Sequence, residues 1–76
     1  MRYHFNLLTA DGVLVDEEGI EIGDKDVRAE ALNIARSLIG EDVKAGVIDL
    51  SGRIEVTDEY GRQLLVLPFT QAVELR

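Results

Sequence analysis

Cysteine and tryptophan are absent from this chain of 76 residues, and histidine and proline occur once each. Without cysteine there is no disulfide staple, no thiolate metal ligand and no cysteine nucleophile. No apolar run approaches the roughly 20 residues that span a bilayer. The opening Met1-Arg2-Tyr3-His4-Phe5-Asn6 alternates instead of building a signal-peptide core, so a cytoplasmic protein without membrane association is expected. Positive charge is scarce: 8 Lys+Arg stand against 15 Asp+Glu, a formal charge of -7. That balance argues against direct nucleic-acid binding, which needs clustered cations. Nothing couples His4 to Ser37 or Ser51 as a base to a nucleophile, and Gly19, Gly40, Gly46, Gly52 and Gly61 are too scattered for a phosphate loop. The expectation is a non-enzymatic chain with no cofactor and no metal.

What is present is globular composition, 46% hydrophobic and 30% charged, with room for one small domain spanning residues 1–76. Charge is unevenly placed. Asp11, Asp16, Glu17, Glu18, Glu21, Asp24 and Asp26 crowd one segment and are opposed only by Lys25, so residues 11–26 hold most of the excess. A solvated face with capping carboxylates is the plain reading of such a run. The sharper reading is a docking surface for a basic protein partner, carried by Asp16, Glu17, Glu18 and Glu21. The same turn lacks the alternating ligands and terminal bidentate glutamate of a calcium loop.

Residues 2–8 alternate as a strand with one buried face. Asp11-Gly12 supplies a turn, after which Val13-Leu14-Val15 and Ile20-Glu21-Ile22 form either one irregular return strand or two very short ones, divided at Asp16–Gly19. Asp24 or Asp26 is expected to cap a helix. From Val27 the apolar positions Ala31, Leu32, Ile34, Ala35, Leu38, Ile39 and Val43 gather on one broad helical face, with Gly46 as the terminating residue. Gly52 to Pro68 reads as a hairpin turning at Asp58-Glu59-Tyr60-Gly61. The tail from Thr70 to Leu75 can add one helical turn.

The order strand, strand, helix, strand, strand predicts an α+β two-layer sandwich: one main helix on one face of an antiparallel sheet of three or four strands. The face carrying Phe5, Ile54, Val56, Leu64 and Val66 is expected to meet the helix stripe, although alternation alone leaves open which set points inward. Leu8, Leu65 and Leu67 are then left on the open face. A domain this small is marginal without a staple, and each leftover leucine is worth roughly 1.5–3 kcal/mol if buried, so a homodimer through that apolar face or through an edge strand is expected, the alternative being a monomer whose C-terminal turn folds over those leucines.

Several stretches together resemble a family: Arg2-Tyr3-His4-Phe5-Asn6-Leu7, Asp16-Glu17-Glu18-Gly19-Ile20-Glu21, Ala29-Glu30-Ala31-Leu32, and Ile54-Glu55-Val56-Thr57 through Val66-Leu67-Pro68-Phe69. They are similar to a set of short, uncharacterised alphaproteobacterial proteins classed as a domain of unknown function. The resemblance covers the whole chain and implies a bacterial source and a fold, but no activity. The strand–strand–helix outline with Glu30-Ala31-Leu32 and Ala35 is also similar to small antitoxin domains of the HicB kind. That likeness implies, as an alternative, an antitoxin-like or regulatory element that binds a basic RNA-binding protein.

Overall fold

Alternation along the first strand decides which side of the sheet is dry. The computed structural model describes residues 1–76. Its elements are β1 (Arg2–Thr9), β2 (Gly12–Leu14), β3 (Ile20–Glu21), a 3₁₀ turn at Asp24–Asp26, α1 (Val27–Lys44), β4 (Arg53–Asp58), β5 (Gln63–Pro68) and a closing 3₁₀ turn at Phe69–Gln71. All pairings are antiparallel, in the order β2-β1-β4-β5, with β3 also on β1. This is the expected α+β arrangement with five strands instead of three or four. The difference arises at residues 13–22, which form the two very short strands and not one return strand.

Tyr3 and Phe5 of β1 face the helix and are buried, as are their neighbours Ile54 and Val56 of β4. The helix packs across β4 and β5 and against the closing turn. Val27, Ala31, Ala35 and Ile39 form its buried row, and the two alanines are fully covered, so the helix backbone lies close on the sheet. Val43 continues the sequence stripe but stands half exposed, beyond the end of the core. The helix stops where Gly46 takes φ 87. There the Gly46 N–H donates to the Val43 carbonyl and the Val47 N–H to the Asp42 carbonyl, both at 2.9 Å, the paired bonds of a Schellman motif. The expected cap at the other end is not made. Neither Asp24 nor Asp26 offers its carboxylate to the helix, because the 3₁₀ turn carries the chain into α1 and the Asp24 side chain is drawn to Tyr3 instead.

The hairpin turns as its sequence predicts. Gly61 N–H donates to Asp58 O at 3.0 Å and Asp58 N–H to Arg62 O at 2.9 Å, a type I turn closed by a bulge. A second irregularity follows. Thr57 lies opposite Gln63, but Val56 lies opposite Leu65, so Leu64 is an extra residue in β5. One inserted residue exchanges the faces of everything after it. The helix-facing residues of β5 are therefore Leu65 and Leu67, not Leu64 and Val66, and Leu67 is wholly buried while Leu64 is about half exposed. This corrects the proposed apolar face: Leu8 points outward, opposite Arg53 and Val13, whereas Leu65 and Leu67 belong to the core side. The tail makes its one helical turn as a 3₁₀ turn at Phe69–Gln71, earlier than the expected Thr70–Leu75. It stays on the helix side, with Phe69 and Ala72 buried and the Arg36 Nε donating to the Ala72 carbonyl. No helix is long and apolar enough to cross a membrane.

Candidate functional site

Because α1 lies over β4 and β5, the inner side of β1–β2 is only partly roofed. A groove of about 710 Å³ opens there, between the helix flank carrying Ile34 and Leu38 and the strand residues Phe5, Leu7 and Leu14, with Val15 just past the end of β2. Leu14 and Val15 are exposed for more than half of their surface, and Ile34 and Leu38 are half-buried. Smaller depressions sharing Leu7 and Leu38 carry the groove on toward Thr9, Ser37 and Phe69.

The rims are acidic on both sides. Glu17 and Glu18 stand at one end, Glu30 on the helix, and Asp11, Glu41 and Asp49 toward the other end. No lysine or arginine lines any of these depressions. An apolar floor bordered by carboxylates and by no cation accepts a segment whose own surface is apolar on one side and cationic on the other.

Placement of the four predicted partner-binding residues divides them. Glu17 and Glu18 are exposed on the groove rim. Glu21 lies away from it on β3, beside Arg2 at 3.9 Å. Asp16 is spent inside the fold, since its Oδ2 accepts the Phe5 N–H at 3.1 Å and its Oδ1 the Gly19 N–H at 3.1 Å. Its own N–H donates to Asn6 Oδ1 at 2.9 Å, and His4 donates through Nδ1 to its carbonyl at 2.6 Å, an oxygen that can only accept. Asp16 is thus a structural residue that holds the acidic turn against β1. The outward side chains His4 and Asn6 have the same task.

A second polar cluster sits at the opposite end of the sheet, where a cavity of about 390 Å³ is bounded by Tyr3, Asp24, Arg28, Asp58, Arg62 and Leu65 among others. Tyr3 donates its hydroxyl to Asp24 Oδ1. That bond, then burial, then the negative charge of Asp24 and Asp58 push the Tyr3 phenol up to about 12. Asp58 is 1% exposed. Burial raises its pKa, but the Arg62 N–H, the Arg62 guanidinium and the Tyr60 N–H, all at 2.9 Å, outweigh it and hold the carboxyl below its usual range. No buried side-chain polar atom in this cluster is left without a partner, and the bonds to Asp58 from Tyr60 and Arg62 make it a clamp on the hairpin.

The groove floor was the part hidden from the sequence. Ile34 and Leu38 read as core, and only their offset from the 27-31-35-39 row marks them as a flank. Val13-Leu14-Val15, three apolar residues inside the most acidic segment, was the available signal.

Residues 2–70 match the model of a family described as a domain of unknown function, DUF6894. No curated protein and no solved structure matches the chain.

Proposed function

We propose that this chain, which belongs to the DUF6894 family of domains of unknown function, is a non-enzymatic protein-interaction module that docks a basic, amphipathic segment of a partner protein in the groove between α1 and β1–β2. The observation that carries this reading is the combination of an apolar floor (Leu7, Leu14, Ile34, Leu38) with a border of carboxylates and no cation.

Magnitudes divide the labour. An exposed ion pair across the rim is worth about 0–1 kcal/mol. Burying a leucine-sized side chain contributes roughly 1.5–3 kcal/mol. Apolar anchors on the partner therefore set affinity, and Glu17, Glu18, Glu30 and Glu41 set the association rate and exclude acidic competitors. The groove is edged by the short β2 strand, which leaves it open to a segment entering from the side.

Selection from a displayed random-peptide library tests this reading. The wild-type chain should enrich sequences that combine Lys or Arg with spaced Leu, Ile or Phe. The Glu17→Lys/Glu18→Lys variant should lose the cationic preference, and Leu38→Glu should lose enrichment altogether. Enrichment that both variants leave unchanged contradicts the groove as the site.

A further inference from the structure

We infer that β5 is the edge through which two copies of this chain pair, antiparallel, about a two-fold axis at Val66. This rests on no part of the groove reading, because it concerns the opposite edge of the sheet.

β5 has β4 on one side and nothing on the other. Its residues from Gln63 to Leu67 carry no charge, so it lacks the lysine or glutamate that commonly keeps an edge from pairing. The backbone fixes which groups are free. Phe69 N–H donates to Gly52 O at 3.0 Å, and alternation along an antiparallel ladder then turns the polar groups of Leu67 and Leu65 toward β4 and those of Val66 away. Pro68, which has no N–H, falls at an outward position and costs β4 no bond.

A two-fold axis at Val66 lets its N–H and C=O bond to their own counterparts. Leu65 and Leu67 come opposite each other on the core side and extend the buried layer across the axis. Leu64, 51% exposed, and Val66, 37% exposed, lose surface to the partner copy.

Charge decides between the two edges. The β2 edge also offers apolar residues, Val13 and Leu14, but it lies beside Asp11, Glu17 and Glu18, and two copies meeting there bring like charges together. At about 4.8 Å per strand, pairing through β5 keeps the two acidic segments on the order of 30 Å apart. That is several times the screening length of about 8 Å at physiological salt. A chain of formal charge -7 can approach its own copy most easily along this edge.

Sedimentation across micromolar to millimolar concentration reads the association directly. The wild type should dimerise. Val66→Lys sets two ammonium groups against each other at the axis and should weaken dimerisation at least about tenfold. Val66→Thr should leave it near the wild-type value, and circular dichroism should show both variants folded, because the Val66 side chain faces away from the core. With no native cysteine, Val66→Cys should oxidise to a covalent dimer, whereas Val13→Cys should not. A wild type that stays monomeric throughout, a Val66→Lys variant as dimeric as the wild type, or cross-linking through Val13→Cys alone would overturn the assignment.

Discussion

The Asp16 carboxylate takes the place of a strand: its Oδ2 accepts the Phe5 N–H at 3.1 Å, in the stretch of the β1 edge where β2 has ended and β3 has not begun. A run of acidic residues that reads as free surface charge therefore contains one member that completes the sheet. The rest of the turn is positioned by it. Arg2 donates to the Glu18 carbonyl at 2.7 Å, and Gly19 packs onto β1 so closely that a Cβ would stand 2.9 Å from both the Tyr3 carbonyl and the Arg2 Cγ.

Gly19 also holds φ 73. A Gly19→Ala variant meets both the left-handed backbone cost and a clash with main chain that cannot swing aside, for a loss of about 1–3 kcal/mol. Asp16→Ala strands two N–H groups and should cost a similar ~1–3 kcal/mol. Urea unfolding measures both. Values within error of the wild type would remove Asp16 from its structural role.

The bulge at Leu64 is tested by contrast between adjacent residues of β5. Leu67→Ala opens a cavity in the core and should cost about 2–5 kcal/mol. Val66→Ala, on the outer face of the sheet, should cost under ~1 kcal/mol when measured at concentrations where the chain is monomeric. The reverse ranking would mean that β5 pairs without the inserted residue.

Asp58 makes stability depend on acid. Its carboxyl is held below the usual range in the folded chain, so its contribution is complete above the unfolded value near pH 4 and is lost as pH falls through the lower folded value. Asp58→Asn should be less stable than the wild type near neutrality, and the gap should close in strong acid. A gap that is constant with pH contradicts the clamp.

Tyr3 acts at the other extreme with the opposite sign. Its proton is held to about 12, so the stabilisation is complete below the unfolded value near pH 10 and is lost as pH rises from there toward 12. The tyrosinate absorbance that disappears in Tyr3→Phe should titrate near 12 in the wild type and closer to 10 in Asp24→Asn. An unchanged titration in that variant would detach Tyr3 from Asp24.

Much of this architecture was legible in the sequence, and the parts that were not have physical causes. The helix from Val27 and its stop at Gly46 were readable because amphipathic period and glycine chemistry are local. The hairpin turn at residues 58–61 was readable for the same reason. The face exposed by β5 was not, since alternation assumes unbroken register and the inserted Leu64 reverses it without any change in composition. The missing carboxylate cap on α1 reflects competition: Asp24 serves Tyr3, a partner 21 residues distant in the chain. At the candidate site, Glu17 and Glu18 were visible as charge, whereas the floor depends on where the helix lies across the sheet, a tertiary fact. Asp16 and Glu17 look alike in sequence and differ only in what the fold asks of each.

The groove is tested most directly by amide chemical-shift mapping of the labelled chain against a synthetic peptide that alternates lysine with leucine. Shifts should gather at Leu7, Leu14, Glu17, Ile34 and Leu38, the apparent affinity should fall as salt is raised, and a glutamate–leucine peptide of equal length should leave the spectrum unmoved. Shifts that gather instead on β5 or around Tyr3 and Asp58, or equal binding of both peptides, would contradict it.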